Sequence, residues 1–209
     1  IYNSRFRTIE LDWRRRFRPL KAKFTKEQIT HVALELVRAD GISGLTARTL
    51  ASKLGSSSCP IFTVFENMEE VHQSVLDAAK ARYKEYVEKG LADTPAFKGV
   101  GKQYILFAIE EPQLFQLLFM NSQTVIPNIG SVLPLIDENY EKILDSITEG
   151  YGVGRKIAEK LYRHLWIYSH GIATLCTTKM CRFTGEEISQ MITEVFTSLL
   201  KEETSSDRG

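Results

Sequence analysis

The stretch 46–65, Thr-Ala-Arg-Thr-Leu-Ala-Ser-Lys-Leu-Gly-Ser-Ser-Ser-Cys-Pro-Ile-Phe-Thr-Val-Phe, constrains the chain more than any other. It reads as two short helices joined by a tight turn. Thr46 stands where an N-cap hydroxyl accepts from a free backbone N–H. Leu50, Ala51 and Leu54 follow at helical spacing. Gly55 comes next, where a glycine in the left-handed conformation ends a helix. Ser57 restarts the chain as a second N-cap. Pro60 falls in the first turn of the second helix, where its missing N–H has no intrahelical partner in any case. Ile61, Phe62 and Phe65 supply an apolar face, and Ser58, Cys59, Thr63 and Val64 a face of small side chains. Two helices crossing steeply over a short turn form a helix-turn-helix, whose second helix enters a DNA major groove.

The rest of the chain carries helical periodicity almost throughout, with Gly and Pro sparse in its middle, so the expected fold is all-α. At 43% hydrophobic over 209 residues there is material for a sizeable core. The net charge of +1 hides an asymmetry. Residues 1–65 hold 12 Lys/Arg against 5 Asp/Glu, whereas residues 66–209 hold 15 against 21. Most of the excess sits in residues 1–23, with 8 basic and 2 acidic side chains, which suggests that this end faces a polyanion. There, Arg5, Arg7, Arg14, Arg15, Arg16 and Arg18 mix with Tyr2, Phe6, Trp13 and Phe17. Two readings are open: an arm along DNA phosphates or the minor groove, or a leader or surface helix without a DNA role. The chain opens without Met, which leaves open a longer precursor or processing. No apolar h-region follows the basic stretch, so no signal peptide is expected. The most apolar window, 165–176, is too short and interrupted to span a bilayer. Cys59, Cys176 and Cys181 match neither a zinc site nor a disulfide framework. A cytoplasmic protein with no metal and no membrane partner is expected.

Residues 25–39 form a well-signalled helix, with Thr25 and Gln28 as a capping box and Ile29, Val32, Ala33, Leu36 and Val37 on one face. Asp40-Gly41 ends it. Its free N-terminal N–H groups, with Thr25 and Lys26, can meet a phosphate. Asn67 caps another helix running to about residue 89, with Glu69 and Glu70 in its first turn and Gly90 as punctuation.

Thr46, Leu50, Ala51, Leu54, Gly55, Ser57, Phe62, Phe65, Glu69 and Glu70 together resemble the N-terminal domain of the TetR family of bacterial transcription regulators. The family pattern is a capped helix, a Gly-containing turn, Thr-x-x-x-Leu/Ile-Ala-x-x-Leu-Gly-x-Ser, an aromatic-x-x-Phe turn and a Glu-Glu helix. It covers about forty-five residues of this chain. Two positions depart from it. Phe62 stands where the family usually has Tyr, and Met68 where it often has Lys, so two polar phosphate contacts are missing. The basic arm is a candidate to replace them.

Further helices are expected over 96–111, 113–119, 132–148, 155–177 and 185–202, with 121–130 as a loop and the chain fraying from Thr204. Gly150, Gly152 and Gly154 mark a turn; no strand precedes them, so they do not read as a phosphate loop. Phe107-Ala108 with Pro112, Leu114 and Phe115, and then Trp166, His170 and Gly171, resemble one ligand-domain branch of the same family. The resemblance implies three segments: a basic arm (1–24), a helix-turn-helix DNA-binding domain (25–68, motif 46–65) and a helical regulatory and dimerisation domain (69–209). It further implies a homodimer joined through the last two helices and a small-molecule pocket in the C-terminal core.

The candidate DNA contacts are Thr25, Lys26, Thr46, Arg48, Ser56, Ser57, Ser58, Cys59, Pro60, Phe62 and Thr63. Arg48 sits in the first turn of the first helix of the pair. The turn and second helix offer hydroxyl and apolar contacts but no bidentate base reader, so no operator can be read from them. Candidate pocket residues are Tyr104, Phe107, Phe115, Trp166 and His170. Each has an alternative reading as plain core, and His170 as a satisfied core histidine. His164 and His170, six apart, lie on different helix faces and make no metal pair. No nucleophile, base or metal constellation points to an enzyme, and no cofactor is expected. The expected function is a dimeric, sequence-specific regulator that binds a double-stranded DNA operator, a repressor released by a small-molecule effector. The alternative is a helical interaction protein whose helix-turn-helix does not bind DNA specifically.

Overall fold

Capping and periodicity decide where the helices of the chain start and stop. The computed structural model describes residues 22–121 and 126–206; residues 1–21, most of the expected arm, lie outside them. Among the described residues all regular structure is helical. Helix α1 is Lys26–Asp40, and the capping box of Thr25 and Gln28 is formed in full. Gly41, at φ 75° and ψ 174°, ends it in a conformation open to glycine. A 3-10 turn, Ile42–Gly44, leads to α2, Ala47–Lys53. Then follow α3 (Met68–Leu91), α4 (Ala96–Glu110), α5 (Pro112–Phe119), α6 (Val132–Ile136), α7 (Tyr140–Tyr151), α8 (Arg155–Thr177) and α9 (Gly185–Ser206).

Four expectations are corrected. The second helix of the pair is not an α-helix: between Gly55 and Phe65 there is one 3-10 turn, Ile61–Thr63, whose N-terminal neighbour is Pro60, and no side chain caps it, Ser57 included. Gly55 at φ 62° ends the preceding turn, Pro60 brings no N–H, and the Ile61 N–H donates to Ser58 O at 3.1 Å, a three-residue closure. The single helix expected over 132–148 is split in two. Asp137 leaves the helical path at φ −129° and ψ 109°, and its Oδ1 accepts from the Asn139 N–H at 2.9 Å, a local bond that competes with the helix. Gly90 is no stop: it lies inside α3, buried against α4. A Cβ there would come within 2.6 Å of Val100 backbone atoms, so the glycine lets the two helices touch. Finally, α9 continues past Thr204, whose hydroxyl donates to Leu200 O at 2.9 Å.

The core is continuous from Ile29 in α1 to Phe196 in α9. Helix α4 sits at its centre and touches α3, α5, α7, α8 and α9, while α1 packs on α2, α3 and α5. This follows from α4's composition: Val100, Tyr104, Ile105, Phe107 and Ala108 are all buried, on more than one side of the helix. No helix among the described residues is long and apolar enough to cross a membrane.

Candidate functional site

The segment 46–65 is held by the residues that point inward. Leu50, Ala51, Ile61 and Phe65 are buried, and burial of each such side chain is worth about 1.5–3 kcal/mol for the larger ones. What remains outward is the candidate interface. The Thr46 hydroxyl accepts from the Thr49 N–H at 3.1 Å, and the Thr49 hydroxyl accepts from the Thr46 N–H at 2.9 Å. Thr49 is the missed half of this cap; the Thr-x-x-Thr spacing was the available signal. Arg48 beside it is exposed. The Ser56 hydroxyl accepts from Lys23 Nζ at 3.3 Å, which seats the end of the basic stretch against the turn. Ser57 and Cys59 are exposed, Ser58 and Pro60 half-buried. Thr63 is exposed, but its hydroxyl donates to Pro60 O at 2.7 Å and serves the turn itself. Phe62 is 43% exposed, an aromatic ring left outside while Ile61 and Phe65 go in.

Thr25 and Lys26 lie at the start of α1. The Thr25 hydroxyl is occupied by the Gln28 N–H at 3.2 Å. Lys26 pairs with Glu70 and lies 4.9 Å from the Phe65 ring centre. Glu70 also accepts from the Glu66 N–H at 2.7 Å, so this pair ties the starts of α1 and α3 together beside the 3-10 turn. Chemically, the surface offers one guanidinium, three lysines (Lys23, Lys26 and Lys53), several hydroxyls and an exposed ring: groups that meet phosphates, with no side chain shaped for a single base.

Tyr104, Phe107, Phe115, Trp166 and His170 come together, the first three as packed core and the last two half-buried against them. Phe107 and Phe115 are fully buried and Tyr104 nearly so. The Trp166 and His170 rings stack at 5.2 Å and 24°, and Tyr104 Oη lies 2.9 Å from His170 Nδ1. Burial pushes the Tyr104 hydroxyl well above its ordinary range, so it stays protonated, and the His170 tautomer sets which of the two groups donates. Burial also lowers the His170 imidazole below its ordinary 6.5. The sign follows: proton binding favours the unfolded chain, so stability is complete above pH 6.5 and is lost as pH falls below it. His170→Gln is expected to flatten the fall of the unfolding midpoint below pH 6.5, measured by denaturant titration across pH; an unchanged slope would assign the fall to other groups. The void beside Tyr104 and Trp166 measures only about 20 Å³, room for a water molecule.

A larger cavity of about 620 Å³ opens elsewhere, between α3, α5, α6 and the corner at 137–139. Of the five aromatic candidates only Trp166 reaches its lining. Asp137 is buried at its edge; Tyr83 and Tyr162 hydroxyls each donate to Oδ2 at 3.3 Å. Burial raises its carboxyl above the ordinary 3.8, against those bonds and the Asn139 N–H. Sequence reasoning missed Asp137 and Asn139, although a polar pair interrupting an apolar run was a signal.

A second missed group joins the first described helix to the middle of the chain. Glu111, 3% exposed, accepts from Arg38 Nε at 2.7 Å and its terminal nitrogen at 2.8 Å, and from Arg82 Nε at 3.2 Å. It thereby links α1, α3 and the α4–α5 corner. The sequence shows Glu110-Glu111-Pro112 as a helix breaker, with nothing to mark the second carboxylate as buried.

No family model and no curated protein matches the sequence. Among solved structures, a protein of unknown function from Rhodococcus sp. RHA1 is similar: 18% identity, TM-score 0.63, 83% of this chain and 92% of that one covered. At that identity the likeness shows the fold alone. Among the described residues no group of three or more His, Cys, Asp or Glu side chains gathers as a metal site.

Proposed function

We propose that this protein is a dimeric DNA-binding transcriptional regulator of the TetR type, a repressor whose C-terminal half releases it from an operator when a small molecule binds. The observation that carries the reading is the segment 46–65. Leu50, Ala51, Ile61 and Phe65 are buried, while Arg48, Ser57, Cys59, Phe62 and Thr63 are exposed, and Lys23 donates to the Ser56 hydroxyl. The helix-turn-helix reading rests on α2 and the 3-10 turn as its two arms, α1 as its support and the Lys26–Glu70 pair as its brace to α3.

The dimer reading is supported by α8. Ile167, Gly171 and Leu175 recur at i, i+4 and i+8; Ile167 is 47% exposed, and a Cβ at Gly171 would meet nothing within 4 Å. Such a stripe suits a second helix laid against it. A two-fold pair of chains presents two recognition segments to successive major grooves of a near-palindrome. A ligand that prefers another separation of those segments weakens DNA binding by its differential affinity.

The test is fluorescence anisotropy against DNA from upstream of the protein's own gene, at two salt concentrations and beside a scrambled duplex. Tight, salt-sensitive and sequence-preferring binding is expected. Arg48→Ala is expected to weaken it by roughly fivefold to tenfold, the scale of one lost charged contact, and to lower the salt slope by about 1 with the melting temperature unchanged. Equal, weak binding to both duplexes would favour the interaction-protein alternative, for which the exposed Phe62 ring in place of a phosphate-binding hydroxyl is the specific observation.

A further inference from the structure

The geometry points to the 620 Å³ cavity as a binding site for an amphipathic organic anion, with an apolar body of drug-like size and one negatively charged head. Its volume lies in the range of small-molecule sites. Leu117, Phe119, Val132 and Ile136 supply apolar wall from α5 and α6. The sign of the head is decided by which polar groups are still free. The lining carboxylates are engaged: Asp137 Oδ1 by the Asn139 N–H and Oδ2 by two tyrosine hydroxyls, and one oxygen of Glu138 by Lys84 at 3.5 Å.

One lining cation is left over. Lys80, one helical turn before Lys84 on α3, is exposed at the cavity and has no ion pair among the described residues. Asn139 is 3% exposed, and its Nδ2 meets no acceptor. An occupant must therefore bring acceptors and negative charge. A cationic head would be repelled by Lys80, and a neutral chain would leave Lys80 unpaired.

This deepens the effector reading above and rests on it for the consequence to DNA, though binding itself is a property of the cavity. The experiment is calorimetric titration of the full chain with three matched ten-carbon probes: decanoate, decanol and decylammonium. Decanoate is expected to bind about tenfold more tightly than either of the others. Lys80→Gln is expected to reduce decanoate affinity roughly fivefold, the scale of one exposed charge pair, and to leave decanol unchanged. Val132→Trp, which fills the cavity, is expected to abolish binding of all three. Decanol or decylammonium binding as tightly as decanoate would overturn the proposal, as would decanoate affinity indifferent to both substitutions. Decanoate that binds as described without changing DNA affinity would uphold the site and count against the regulator reading. DNA binding by a protein that takes up none of the three probes would overturn the site alone.

Discussion

A variant carrying Arg38→Ala and Arg82→Ala together is expected to lose about 3–5 kcal/mol of stability, the cost of stranding a buried carboxylate without its partners. Glu111 is 3% exposed and both of its oxygens are held by these two guanidinium groups. The reverse deletion is milder. Arg38 and Arg82 side chains are 41% and 37% exposed, so in Glu111→Gln they turn to water while the amide keeps part of the bonding. The expected order is therefore double arginine variant far below Glu111→Gln, with Glu111→Gln below the parent. Thermal melting reads it: in a chain of this size each kcal/mol moves the midpoint by roughly 2–4 °C. Equal losses in the two variants would mean that the carboxylate rehydrates, and that the corner between α4 and α5 opens easily.

Phe107→Ala is expected to cost a similar 3–5 kcal/mol, as large-to-small changes of buried aromatics do. The ring is fully buried, with Tyr86 at 5.2 Å, Tyr83 at 5.4 Å and Phe115 and Phe119 both at 6.5 Å between ring centres. Phe107→Leu, which keeps most of the volume, is expected to cost less than half as much. Denaturant unfolding at constant pH measures both. The result separates the two readings of this residue. A core ring gives a large stability loss; a ring lining an effector pocket gives a loss under about 1 kcal/mol with ligand affinity falling instead.

How far the fold was legible depended on the range of the interaction. The helix starts at Thr25, Thr46 and Asn67 were readable because a cap is satisfied within three residues. The faces of α1 and α4 were readable because burial repeats with the helical period. The 3-10 turn was not: Ile61 and Phe65 at i and i+4 look helical, and so does Phe62 beside them, yet Phe62 points to solvent. The polar partners that hold the Asp137 side chain inside are tyrosines 54 residues upstream and 25 downstream, and those of Glu111 include Arg38 seventy-three residues away. Gly90 looks like a stop until Val100 is seen against it. For the candidate sites the pattern is alike. Arg48 and the turn were marked by local spacing, whereas the cavity is lined from four separate stretches of chain, and only Trp166 among the expected pocket residues touches it.

Helix α3 is a single rod of 24 residues shared by both ends of the molecule. Its first residues are braced to α1 by Lys26 and Glu70, and its middle, at Lys80, Tyr83 and Lys84, forms one side of the cavity. About 24 Å of helix separates residues 68 and 84. An occupant that tilts the rod by about 5° at the cavity sweeps its capped end through about 2 Å, a little over a third of a helical pitch. The leverage of such a rod lies in its length: a small displacement at the cavity would become a larger one, at smaller force, where the 3-10 turn meets the surface.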